Sequence, residues 1–350
     1  MSASVFDHPW LGGLFGDAEM AAIWSPRRQV AHMLAFEAAW SRANAAEGLF
    51  DAAEAEQAAA AIERAQIDFG DIADGTSRDG VPVPALVRQL ARLAPADAVH
   101  KGATSQDVVD TALALTLRDS SDLIAARLAA LEAALLALEE RFGDAPLMGR
   151  TRMQAAAPIT VRDRIQPWRL PLRGHMERLD ALRARVERVQ IGGACGDRAA
   201  LGDKAQAIAD DVAARLGLAS TGRAWHAMRE GVADYASFLS LVTGTLGKMG
   251  QDICLMAQQG IDEIALSGGG GSSAMPHKQN PVSAELLVTL ARFNATQVSA
   301  MHHAMIHEQE RSGAAWSLEW MVLPQMLMAT GRALTAAIDI SRRITRIGRP

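Results

Sequence analysis

The stretch EGVADYASFLSLVTGTLGKMGQDICLMAQQGIDEIAL, residues 230–266, decides the fold class. Val232, Tyr235, Phe238, Leu239, Val242, Leu246, Met249, Ile253, Met256 and Ile264 recur at helical spacing. Proline is absent from Leu172 to Met275, so nothing there forces the backbone to break. A continuous helix over this stretch would be roughly 55 Å long at 1.5 Å per residue.

The same pattern extends outward from it. A helix is expected over 107–142, with Asp107 near its start and Gly143 and Pro146 closing it. Others are expected over 165–191, 283–307 and 323–344. Ala, Leu and Met occupy all sides of 112–138, so that helix needs more than one neighbour to cover it. A long helical bundle that also packs against other subunits meets the need. Residues 1–100 read as shorter helices broken at Pro9, Pro26, Gly48, Gly70 and Pro82. The expected fold is therefore all-α, with a small N-terminal helical domain (1–100) and a central long-helix bundle domain (101–350).

Composition excludes several functions. Thirty-five basic against 40 acidic residues give a net charge of −5, and no basic run marks a nucleic-acid or membrane surface. The N-terminus lacks the basic and apolar segments of a secretory signal, and apolar stretches such as LIAARLAALEAALLALEE carry too many charges to span a bilayer. Two cysteines, Cys195 and Cys254, cannot build a disulfide framework or a structural zinc site. A soluble protein of the reducing cytoplasm is expected.

Three polar segments interrupt the helices. In VHKGATSQDVVDT (99–111), His100, Thr104, Ser105 and Gln106 stand at a helix start, where free N–H groups and the dipole favour either an anion or ordinary capping. GRTRMQAAAPITV (149–161) places Arg150, Thr151, Arg152 and Gln154 in an extended or irregular stretch. GGGGSSAMPHKQNP (268–281) fits neither a P-loop nor a dinucleotide fingerprint. Its glycines free the backbone, while Pro276 and Pro281 stiffen its far end.

In this order and spacing, HKGATSQDVVDT, GRTRMQAAAPIT and GGSSAMPHKQNP resemble the three signature regions of the fumarase/aspartase superfamily. The resemblance covers nearly the whole chain. It implies a central bundle of five long helices, a homotetramer, and composite active sites to which different subunits contribute the three regions. It also implies elimination or addition next to a carboxylate through an aci-carboxylate intermediate. Ser272 would be the acid/base, with Lys278 and Asn280 on the substrate carboxylate and a loop that closes over the site. Relatives often continue into a small helical C-terminal domain, which here is expected to be largely missing.

Fumarate-releasing members usually carry a His in the second region, where this chain has Arg152, and residues 74–87 lack a further catalytic His. These departures, with VPVPALVRQL, WHAMRE and HEQERSGAAWSLEW, point to the cycloisomerase branch, which lactonises a tricarboxylate muconate in protocatechuate breakdown; a fumarate-releasing lyase is the alternative. Arg152, Arg229 and Lys278 would match three carboxylates, with His100, Thr104, Ser105, Gln106, Thr151, Gln154, Ser273 and Asn280 completing the substrate site. His226 fits a structural or a site role. His303 and His307 lie one helical turn apart without HExxH, so no metal is expected, and no cofactor either.

Overall fold

In a computed structural model of the chain, residues 4–268, 270–271 and 279–348 are described. Among them are twelve α-helices and six short strands. The N-terminal third contains α1 (Gly12–Phe15), α2 (Ala18–Ile23), α3 (Pro26–Ala46), α4 (Ala52–Glu63), α5 (Phe69–Asp79) and α6 (Val83–Leu90). The long helices follow: α7 (Ser105–Phe142), α8 (Val161–Val186), α10 (Glu230–Met256), α11 (Val282–His303) and α12 (Ala314–Arg343), with the shorter α9 (Ala205–Leu216) between α8 and α10.

Two apolar cores result. The larger runs through the bundle, where Leu128, Leu131 and Leu135 of α7 meet Trp168 of α8, Phe238 and Leu239 of α10, Leu287 of α11 and Leu327 of α12. The smaller lies among the N-terminal helices, where Phe36, Trp40, Ile62 and Leu86 pack on Val108 and Leu115 of α7. Val189, Ile191, Ile208 and Val212 complete that second core, so residues far along the chain belong to it.

The expected helix over 230–266 stops at Met256. Gly260 and Asp262 adopt left-handed backbone, and the chain returns as β3 (Ile264–Leu266), antiparallel to β6 (Ile344–Ile347). Ile264, at helical spacing in the sequence, is thus a buried strand residue. Two other helices begin earlier than expected, α8 at Val161 rather than 165 and α12 at Ala314 rather than 323. Pro167 and Pro171 lie inside α8, which starts at Val161 under a Thr160–Asp163 capping box, and Pro324 lies inside α12. Each proline removes one backbone hydrogen bond, and burial of neighbours such as Trp168 and Leu172, or Leu323 and Met326, offsets the loss.

The stretch after α7 is a hairpin, β1 (Pro146–Thr151) antiparallel to β2 (Gln154–Thr160). By length and composition α12 could also cross a membrane, contrary to the expectation that no segment would; 67% of its most apolar window is buried inside the fold, as in a core helix.

Helices α10 and α11 approach closely through glycines. A Cβ at Gly250 would lie 2.5 Å from the Ala284 carbonyl oxygen and 2.8 Å from Leu287 Cβ. Gly250→Ala should therefore destabilise the fold by about 1–3 kcal/mol despite alanine's better helix propensity. Urea unfolding checks this, and a gain in stability would contradict the close packing.

Candidate active site

The first signature segment lies at the start of α7. The Thr104 N–H donates to Asp107 Oδ2 (3.0 Å), and the fully buried Asp107 also accepts from the N–H groups of Gly192 (2.8 Å) and Gly193 (3.0 Å). His226 Nε2 stands 3.0 Å from Asp107 Oδ1. A Cβ at Gly192 would lie 2.6 Å from the His226 ring, so only glycine lets the backbone reach the carboxylate here. Thr104 Oγ1 accepts a hydrogen bond from Arg311 Nη1 (2.7 Å), a guanidinium brought from 207 positions along the chain. This corner thus sets the Arg311 guanidinium beside the Thr104 and Ser105 hydroxyls at a helix start.

Ser105 is half-buried at the helix start. Gln106 points inward and is fully buried, its amide donating to Asp110 Oδ2 and to the His226 carbonyl (3.0 Å each). His100 precedes the helix in left-handed backbone (φ 57°), with Nδ1 2.7 Å from Glu37 Oε1.

The second segment is the hairpin tip. Arg152 and Met153 both have positive φ (48° and 67°) and form a two-residue turn between the paired Thr151 and Gln154. Such a turn ordinarily uses Asn and Gly. The exposed tip presents Thr151, Arg152 and Gln154 to solvent, while Arg150 Nη1 donates to both oxygens of the buried Glu263 (2.8 and 2.7 Å).

Of the third segment, Gly270 and Gly271 (β4) pair antiparallel with Asn280 and Gln279 (β5). Asn280 lines a cavity of about 1060 Å³ together with Arg343 and Arg346. Ser272, Ser273 and Lys278 lie outside the described residues.

The first and second segments do not meet within one chain. One precedes and the other follows the 38-residue α7, a separation of roughly 57 Å.

The expectation that Arg229 meets a substrate carboxylate is corrected. Its side chain is fully buried; Nε and Nη2 donate to Glu319 (2.8 and 2.5 Å), while Nη1 and Nη2 donate to Asp110 (2.7 and 3.2 Å). The guanidinium also lies 4.8 Å from the centroid of the Trp225 ring, and Trp316 Nε1 donates to Asp110 Oδ1 (3.1 Å). A fully buried cation held by two carboxylates and stacked on the Trp225 ring is not available to a ligand. Burial alone would raise the Glu319 pKa, and the Arg229 charge outweighs it, holding the carboxyl below its usual range. The side chain of His307 is buried 3.8 Å from Glu319, in this same cluster. Among the described residues, no three His, Cys, Asp or Glu side chains are placed to hold a metal ion.

Glu37 and Glu263 escaped the sequence reading because their partners are 63 and 113 positions away, and the contact of Arg311 with Thr104 did so because it spans 207 positions. Only the Glu310-Arg311 pair within HEQERSGAAW offered a local signal.

Arg229→Met should leave two buried carboxylates uncompensated and destabilise the fold by about 3–5 kcal/mol. A variant that kept full stability in urea and lost only substrate affinity would restore Arg229 to the binding site.

A family described as lyases matches residues 16–298. A 3-carboxy-cis,cis-muconate cycloisomerase of Pseudomonas aeruginosa is 39% identical over 93% of this chain and 73% of its own length. The crystal structure of the 3-carboxy-cis,cis-muconate lactonizing enzyme from Pseudomonas putida superimposes with a TM-score of 0.89 at 37% identity, covering 96% of this chain and 77% of that one. Trans-aconitate decarboxylase 1 of Mycosarcoma maydis is 33% identical over 95% of this chain and 69% of its own length. The chain belongs to the lyase family of the fumarase/aspartase superfamily, the family of the 3-carboxy-cis,cis-muconate cycloisomerases.

Proposed function

We propose that the protein converts 3-carboxy-cis,cis-muconate to 4-carboxymuconolactone in cytoplasmic protocatechuate catabolism. The observation that carries this reading is the turn at Arg152, together with 39% identity to a cycloisomerase. Where fumarate-releasing members use an imidazole, this chain holds a permanent cation on an exposed hairpin tip. A guanidinium is a poor base at neutral pH and a strong carboxylate ligand, which suits a reaction needing no base to create its nucleophile.

One substrate carboxylate attacks the alkene intramolecularly and forms the new C–O bond. The π electrons move to the adjacent carbon as an aci-carboxylate, and that carbon then takes one proton. The nucleophile is already ionised and tethered, so the protein's tasks are to fold the substrate, spread the developing charge and deliver the proton. Ser272 is the proposed donor, assisted by Lys278, with Arg152, Lys278, Asn280 and the His100–Thr104 corner on the carboxylates. Thr151, Gln154, Ser105 and Ser273 supply further hydrogen bonds.

The site is proposed to be composite within a homotetramer. Support comes from the α7 separation and from exposed apolar side chains on four bundle helices, Leu136, Leu170, Leu241 and Met321.

Active enzyme should bleach the ultraviolet absorbance of the muconate diene without added metal or nucleotide. Protein that leaves 3-carboxymuconate untouched but releases fumarate from adenylosuccinate or argininosuccinate would replace this reading with the lyase alternative. Ser272→Ala should lower turnover by about 10²-fold or more, whereas Arg152→Lys should raise KM, since charge without the planar fork loses the bidentate grip. Mixing Ser272→Ala with Arg152→Ala subunits should restore activity; none recovered after verified exchange would place both residues in one subunit.

A further inference from the structure

One face of α3 grips the segment that leads into α7. Glu37, Trp40 and Ser41 lie at i, i+3 and i+4 on that helix. Ser41 Oγ donates to the Ala98 carbonyl (2.7 Å), Trp40 Nε1 donates to the Lys101 carbonyl (3.1 Å), and Glu37 Oε1 stands 2.7 Å from His100 Nδ1. Backbone contacts on either side thus hold His100 in its left-handed conformation, a costly state for a residue with a Cβ.

Glu37 is an unusual residue to find there. It is fully buried, and among the described residues its Oε2 has no hydrogen-bond partner and the imidazole is the one close polar partner of its carboxylate. A buried carboxylate in that position favours the charged ring. Among the described residues, the other charged group acting on His100 is Asp107 of α7, whose oxygens are already engaged by Thr104, Gly192, Gly193 and His226; neighbouring Lys101 turns to Asp97 (3.3 Å). The His100 side chain keeps 18% of its surface exposed, so the ring is held from one side and open on another.

We infer that Glu37 is a positioning residue for substrate binding, fixing the His100 ring and keeping it an imidazolium that receives a substrate carboxylate at the start of α7. The inference rests on the proposed cycloisomerase activity and names, in place of Arg229, a third cation for the tricarboxylate. It also gives the N-terminal helices a part in the chemistry. Burial alone would lower the His100 pKa; Glu37 by charge and hydrogen bond, with Asp107 behind it, leaves the pKa raised above the ordinary 6.5. The sign follows. Affinity that depends on the imidazolium is complete below that ordinary value and is lost as pH rises through the raised one.

The test is KM for 3-carboxymuconate between pH 6 and 9 in wild type, Glu37→Gln, His100→Gln and the double variant, alongside NMR titration of the histidine rings. Glu37→Gln should raise KM about tenfold near pH 7.5 with little change in kcat, because the onset of the KM rise moves to lower pH. His100→Gln should raise KM at every pH up to the wild-type transition, and the double variant should be no worse than His100→Gln. A Glu37→Gln protein with an unaltered KM–pH profile and His100 titration overturns the proposal, as do multiplicative effects in the double variant. If Glu37→Gln does not fold, a His100→Gln enzyme with wild-type KM at all pH values overturns it alone. Wild-type protein inactive on 3-carboxymuconate would sink the proposed function instead, while the His100 titration would still report whether Glu37 holds the charge.

Discussion

The length of α7 constrains everything else about the site. A straight helix of 38 residues holds its two ends roughly 57 Å apart. One end carries the Thr104 corner and the other runs into the hairpin that presents Arg152. No rotamer change or loop movement in one chain closes such a gap, so a site using both ends must draw on more than one subunit. The bundle helices hold the two ends of α7 rigidly apart and present apolar side chains left uncovered in the single chain.

A second constraint is electrostatic. Asp110, Glu319 and Arg229 form a dehydrated cluster with a net excess of carboxylate, ringed by Trp225, Trp316 and His307. Pairing replaces hydration, and removing Arg229 would expose both carboxylates to the full desolvation cost. The cluster lies beneath the start of α7, between α7, α10 and α12, and Gln106 joins it to the His226 carbonyl. Its effect on the site is indirect, through the fixed position of the helix start.

Much of this was legible in the sequence, and the failures have definite causes. Apolar periodicity found each long helix because burial against several neighbours imposes it. Helix ends were misjudged where local signals ran out: α8 starts at Val161 rather than 165, α12 at Ala314 rather than 323, and Ile264 lies on the helical period in a strand. The three signature segments stood out because each concentrates polar side chains within a few residues. Arg229 was misassigned because a sequence counts cations without revealing which are enclosed, and Asp110 and Glu319 are 119 and 90 positions away. Glu37 was invisible for the same reason, one carboxylate in a helix with no local mark of its partner.

The hairpin tip shows how strain and rigidity are combined. Positive φ at both Arg152 and Met153 costs on the order of 1–3 kcal/mol at each residue, since neither is glycine or asparagine. An isolated two-stranded hairpin in water would relax into another turn. Here the base cannot yield: Arg150 is clamped by the buried Glu263, whose own carbonyl accepts from the Gly348 N–H beside β6, while β3 leads on from Glu263 toward the glycine-rich segment. The same residue thus anchors the strained arm through its carboxylate and the approach to the third signature segment through its backbone carbonyl. That shared anchor gives the two-residue turn carrying Arg152 a rigid base, so the strained backbone at the tip has a fixed support.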